Sequence, residues 1–401
     1  LALILALALC AAPAAAQPRG EPVKLGLIDI YSGGFAFIAD TIRTGFQIAV
    51  DEANAAGGLN GRPFQLVTAD MGGSVEKAVT EGRRMILEER IKFVTVGIHS
   101  GAAVAVGNLG REHKVLVNGG FATTKRLTGE SGHDYVARAN LSTVEIGRVM
   151  AEHLKSRPDI KRVSVIAPDY EFGQHFAADF IAGLKAARPD ITIVRQEWPK
   201  LGATDYGPHV TALQAQPVDL VVAGVFGADL VNFLRSARDF GLFSGKTQFF
   251  THGLDLAKMG ALKDSLPPNT LGTVWYPFYA IDSAKSKSFA AEVQKRMGTY
   301  ATGSAPVGYV AGKMLTDAIR KAGTADDVDR VVKALGTVQF EGPTGPTKVR
   351  ACDNMALYNF YVGTVKRDAS LPDGIGMGEV KAVNTESVAR SCEEVKKVRG
   401  G

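Results

Sequence analysis

The 401-residue chain is 46% hydrophobic and 22% charged, an ordinary globular balance with length for two domains, which excludes a disordered or fibrous protein. Its formal charge of +5 is spread along the chain, so nucleic acid is not an expected partner, although the balance mildly favours anionic ligands.

Residues 1–16, LALILALALCAAPAAA, form an apolar run closing on small residues, the pattern of a secretory signal peptide cut before Gln17. The run from Leu1 to Leu9 is too short to cross a hydrocarbon core, which takes about 20 residues. Leu9 stands before Cys10 where lipid attachment requires a small residue, so Cys10 is not read as an anchor. Cys352 and Cys392 remain, in an oxidising compartment, and are expected to form a disulfide; free thiols are the alternative. With no CxxC and no nearby His, a metal site is not expected.

From Val23 strand and helix alternate. VKLGLIDI reads as a buried strand, and Ile42, Phe46, Ala49, Val50 and Ala53 mark one face of the next helix. Gly57, Gly58, Asn60 and Gly61 end it in a turn. A strand from Phe64 to Ala69 and a helix from about Val75 to Glu89 follow. Phe93 to Val96 is the third strand, His99 and Ser100 lie in the loop after it, and Val115 to Val117 is the fourth, followed by the loop Gly119 to Thr124. A helix opening at Ser100 would aim unpaired N–H groups at an anion, and loops at the carboxyl ends of adjacent parallel strands are where open α/β sheets bind ligands.

A second series repeats the first. Its strands start near residues 161, 190, 218 and 247, against 23, 63, 92 and 114 in the first, and its helices include Glu171 to Ala187, Tyr206 to Gln214 and one marked by Phe226, Leu230, Phe233, Leu234 and Ala237. The fold class is therefore α/β, with two Rossmann-like, doubly wound parallel sheets. After Leu271 the regularity changes: an extended aromatic segment, helices at Lys285 to Met297, Val307 to Ala322 and Asp326 to Ala334, then two strand-like runs with a turn near Cys352 and Asn354. The tail from Asp368, rich in Gly, Asp, Lys and Glu, reads as a surface appendage.

In element order and in several motifs the chain resembles the periplasmic solute-binding proteins of ABC transporters, of the branched-chain amino acid (Leu/Ile/Val) type. The residues that carry the resemblance are GLIDIYSGGFAFIAD, AVDEANAAGGLNGRPFQLVTAD, the SGAA and GGFATT loops, VIAPDYEFG, LGATDYGP and FLRSARDFG. It runs from about Val23 to Lys366. The resemblance implies two lobes joined by a three-segment hinge, a Venus flytrap: lobe one at 23–139 plus 272–343, lobe two at 140–271 plus 344–366, with 367–401 as a C-terminal extension. It also implies an exported, periplasmic monomer with no cofactor, which captures a small-molecule carboxylate by hinge closure and passes it to an ABC membrane permease.

On the same resemblance, a ligand carboxylate is held by Ser100, Ala122 and Thr124, with His99 and Thr123 adjacent; a buried carboxylate needs several donors to offset lost hydration. Ser100 can equally serve as a helix cap. The facing lobe would contribute an aromatic, Tyr170 or Phe172, and Phe226. Tyr31 lies after the first strand, and Trp275 and Tyr276 lie where the chain crosses back. Amino acid binders of this type carry an acid after the fourth strand of lobe two to pair with the ligand ammonium. Here the run is FFTHGLD. His252 offers no carboxylate, and Asp255 would need a shifted loop to reach. His252 suits a carbonyl, a phenol or a second carboxylate, or else faces solvent. An aromatic acid is therefore expected ahead of a standard amino acid.

Among other classes, a ligand sensor would share the two-lobed module. Catalysis is not expected, because GxSxG, P-loop, GxGxxG and HExxH motifs are all missing.

Overall fold

In the computed structural model, which describes residues 20–254, 259–260 and 262–400, the first apolar run forms β1 (Val23–Asp29) in the first of two sheets. All of β1 except Lys24 is buried, because helices cover both faces of the sheet. On one side lies α1 (Ala36–Ala55); on the other lie α2 (Val75–Arg83) and α3 (Ser100–His113). With β2 (Phe64–Asp70), β3 (Phe93–Val96), β4 (Leu116–Gly119) and β5 (Val136–Arg138) the parallel order is β2-β1-β3-β4-β5.

The second unit is laid down in the same way. After α4 (Thr143–His153) come β6 (Arg162–Ile166), α5 (Glu171–Ala187), β7 (Thr192–Glu197), α6 (Gly207–Gln214), β8 (Leu220–Ala223), α7 (Gly227–Asp239), β9 (Gln248–Thr251) and β10 (Leu271–Val274). The parallel order is β7-β6-β8-β9-β10. Phe176, Phe180 and Leu184 of α5 pack on one face, and Val210 of α6 and Phe233 of α7 on the other. α8 (Ala284–Met297), α9 (Ser304–Ala322) and α10 (Val328–Leu335) then return to the first unit. α9 lies so close along α1 that a Cβ on Gly308 would stand 2.1 Å from the Ile42 carbonyl oxygen.

Each sheet is finished by late additions, most of them paired antiparallel. β11 (Gln339–Gly342), β12 (Gly345–Arg350) and β13 (Met355–Leu357) extend the first sheet beyond β5; β14 (Asn359–Arg367) and β15 (Ile375–Asn384) extend the second beyond β10. The chain crosses between sheets after β5, after β10 and between β13 and β14.

Three segments lie differently from the expected boundaries. β10 belongs to the second sheet, so that crossing comes after Val274 rather than at 272. Residues 345–357, expected in lobe two, pair in the first sheet, because β12 and β13 form an antiparallel pair that docks beside β5. The tail is not an appendage: β15 pairs along β14 with Ile375 and Met377 buried, and α11 (Cys392–Val398) is tied back by the Cys352–Cys392 disulfide. Its polar residues are the outward half of an alternating edge strand. The expected signal segment 1–16, Cys10 and Asp255 lie outside the described residues. Among the described residues no helix is long and apolar enough to cross a membrane, and no cluster of His, Cys, Asp and Glu is placed to hold a metal.

Candidate functional site

Because both sheets are parallel in their central strands, their carboxyl ends share an edge, and the loops that follow those strands face one another across the two lobes. Between them lies a cavity of about 650 Å³, its mouth included. Ile98 follows β3, Phe121 and Thr123 follow β4, Tyr170 follows β6, Phe226 follows β8, His252 follows β9 and Trp275 follows β10; all line it. Helices begin here too. α5, α7 and α9 open at Tyr170, Phe226 and Gly303 with no side chain capping their first N–H groups, so their positive ends favour an anion in the cavity. No described residue lining it is Asp, Glu, Lys or Arg.

The wall is aromatic. Phe121 and Trp275 are 4.9 Å apart between ring centroids, Phe172 and Phe226 5.6 Å, and Phe35 of lobe one reaches Phe226 of lobe two at 5.5 Å. His252 is buried among Trp275, Phe172, Phe176 and Phe360. Burial alone pushes its pKa down to about 3, so the ring is neutral at physiological pH.

The lobe-one loop is held from behind. Arg138, fully buried, donates to the Ala122 carbonyl at 2.8 Å, to Thr128 Oγ1 at 3.2 Å and to the Thr124 carbonyl. Burial lowers its pKa to about 10, and it stays charged. Thr124 Oγ1 donates to Glu171 Oε1 at 2.7 Å and lies 3.1 Å from His175 Nδ1, so this hydroxyl spans the lobes. Lys125 meets Asp179 at 2.6 Å and Arg126 meets Glu171 at 3.5 Å beside it.

The three crossings meet at one residue. Asn140 Oδ1, on the crossing after β5, accepts from Trp275 Nε1 at 2.8 Å on the crossing after β10 and from Tyr358 Oη at 3.0 Å on the crossing after β13. Asn140 Nδ2 donates to the Phe121 carbonyl at 3.0 Å, which joins this node to the cavity wall.

Of the expected site residues, Thr123, Tyr170, Phe172, Phe226, His252 and Trp275 line the cavity together. Ser100 is buried and its Oγ has no partner among the described residues, but the cap of α3 comes from His99, whose Nδ1 accepts the Ala102 N–H at 3.2 Å. The His99 ring packs 5.5 Å from Tyr170 at the edge of the cleft. Ala122 is buried in the lobe-one core with its carbonyl taken by Arg138, and the Thr124 hydroxyl is committed to Glu171. Tyr31 packs against the core with its hydroxyl enclosed and unpartnered among the described residues. Tyr276 is a core residue, its hydroxyl donating to the Ser286 carbonyl at 2.7 Å.

Phe121, Gly303 and Ser304 were not anticipated. The Gly-Ser-Ala-Pro run at 303–306 carries the start signal of α9, which the apolar face beginning at Val307 outweighed.

Two sheet-based lobes enclosing a cavity at their facing strand ends define a bilobed ligand-binding protein of the solute-capturing kind. The chain belongs to the periplasmic binding protein family, whose model matches residues 22–370. It is 28% identical to the Leu/Ile/Val-binding protein BraC3 of Rhizobium johnstonii over 86% of this chain and 93% of that one. Its fold is that of an ABC-transporter solute-binding protein from Rhodopseudomonas palustris in complex with 3,4-dihydroxybenzoic acid (TM-score 0.82, 20% identity, 91% and 98% of the two chains). It is equally that of a leucine-, isoleucine-, valine-, threonine- and alanine-binding protein from Brucella ovis in its closed conformation (TM-score 0.82, 22% identity, 93% and 98%).

Proposed function

We propose that this protein captures a small aromatic carboxylate in the periplasm and presents it to an ABC permease. The observation that carries the reading is the cavity wall: aromatic side chains, no described carboxylate to balance an ammonium, and a neutral His252 in the position where an amino acid binder needs a charge. An unpaired ammonium buried there would cost several kcal/mol. The carboxylate is received by Thr123 and the uncapped helix starts, all neutral donors. The Rhodopseudomonas palustris neighbour bound to 3,4-dihydroxybenzoic acid supports this class. The relatives named Leu/Ile/Val-binding proteins favour a second reading, an aliphatic amino acid.

Thermal unfolding with benzoate, 4-hydroxybenzoate and leucine, followed by calorimetry, separates the two. A ligand at 100 times its Kd stabilises by about 2.7 kcal/mol. Aromatic acids are expected to raise the melting temperature and leucine to leave it unchanged; the reverse pattern overturns the proposal.

A further inference from the structure

His252 has two ring nitrogens, and the residues around it decide which carries the proton. Nδ1 lies 2.9 Å from Thr273 Oγ1, and the same Oγ1 accepts the Gly253 N–H at 3.1 Å. Thr273 is fully buried in β10, and its hydroxyl proton has no acceptor among the described residues other than His252 Nδ1. A buried hydroxyl that leaves its proton unbonded forfeits a hydrogen bond in a low-dielectric wall. Thr273 therefore donates to Nδ1, which leaves the proton of the neutral imidazole on Nε2. No described residue partners Nε2, and the ring lines the cavity.

Every group in this arrangement belongs to lobe two or to the crossing that leaves it: His252 and Gly253 follow β9, Thr273 is in β10, and Phe172, Phe176 and Phe360 pack around the ring. The tautomer is thus set before the lobes close, as an oriented donor that needs no rearrangement when a ligand arrives.

We propose that Thr273 fixes His252 as the Nε2–H tautomer and that this N–H selects ligands carrying an oxygen acceptor on the end remote from their carboxylate, such as a para-hydroxylated aromatic acid. This rests on the aromatic-acid reading above. His252 is then a specificity-determining residue and Thr273 a positioning residue that acts through it. An aromatic acid without the acceptor leaves the N–H buried and unpaired, a penalty the acceptor removes.

The test has two independent arms. Nitrogen-15 NMR of the ligand-free protein reads the tautomer directly: a protonated Nε2 and an unprotonated Nδ1 are expected, with mixed tautomers in Thr273→Val and the wild-type pattern in Thr273→Ser. A protonated Nδ1 in the wild type overturns the proposal. Calorimetry with 4-hydroxybenzoate, benzoate and 4-methylbenzoate reads the selection. The wild type is expected to prefer 4-hydroxybenzoate by about tenfold, His252→Gln to keep part of that preference through its amide donor, and His252→Leu to lose it. An undiminished preference in a folded His252→Leu protein sinks the selective role. Should the wild type bind none of the three acids, the aromatic-acid reading fails, and the NMR arm still decides the tautomer.

Discussion

Asp29 ends β1 with its side chain fully buried beneath the loop after β3. Its Oδ1 accepts the Ile30 and Ile98 N–H groups at 2.9 and 3.0 Å, while Oδ2 has no partner among the described residues. Gly97 makes room for the carboxyl, since a Cβ there would stand 1.8 Å from Oδ2. Burial outweighs the two hydrogen bonds and pushes the pKa up to about 7 from 3.8. The folded state therefore binds this proton more tightly than the unfolded chain, so the associated stability is full below about pH 4 and is lost as pH rises to about 7. The loss amounts to about 4 kcal/mol at most. Asp29→Asn keeps the acceptor oxygen and is expected to flatten the fall in unfolding free energy between pH 4 and 7, measured by urea denaturation. Equal pH profiles for the two proteins would exclude Asp29 as the source.

At this scale the sequence was only partly readable. The sequence leaves Ser100 open as a cap or a ligand group, and the cap belongs to its neighbour His99, whose Nδ1 accepts the Ala102 N–H. His252 stood out because a carboxylate was expected in its place. Thr273 did not, because a single Thr inside a strand carries no pattern that links it to a residue some twenty positions away.

Among the elements, short apolar runs bounded by turns leave few other assignments, and although the three-residue β5 went unread, β1 to β4 and β6 to β9 were legible to within about two residues. Of the late strands, β12 and the β13–β14 stretch showed as two strand-like runs, but neither their pairing nor β11 and β15 did. β13 has three residues, too few for a period, and its place beside β5 is set by a long-range pairing. β15 was masked by its charged outer face. The disulfide that secures α11 closes a loop with a separation of 40 residues, for which chain entropy gives about 4 kcal/mol. α11 is also held by Arg148 to Glu394 at 3.1 Å, and Arg399 just beyond it donates to the Thr128 carbonyl at 2.9 Å. Cys352→Ser with Cys392→Ser is expected to lower the melting temperature while leaving ligand affinity within about twofold, because neither cysteine reaches the cavity. A large loss of affinity in the folded variant would show that α11 supports the site.

On the scale of the whole molecule, the cavity is closed by contacts that do not touch it. Thr124, Lys125 and Arg126 of lobe one meet Glu171, His175 and Asp179 on α5 of lobe two. Such contacts add to the free energy of closure whatever ligand is inside. Glu171→Gln weakens two of them, and the expected result is a loss of affinity of about three- to tenfold for every ligand alike, with their ratios unchanged in calorimetry. A change in ratio would place Glu171 in ligand recognition instead. The two-lobed plan was legible in the repeat of strand spacings. The latch was not, because contacts between a loop and a facing helix leave no periodic trace.

The node at Asn140 also makes the protein its own optical probe. The chain has two tryptophans. Trp198 lies just beyond β7 and is partly exposed, whereas Trp275 is buried with its indole N–H on Asn140 and its ring against the cavity. An indole placed where the three crossings converge senses both the occupant of the cavity and the set of the joint, so the emission of a Trp198→Phe protein should change in colour or intensity as ligand closes the lobes. An unchanged spectrum at saturating ligand would mean that the indole stays in the same surroundings through the whole opening and closing cycle.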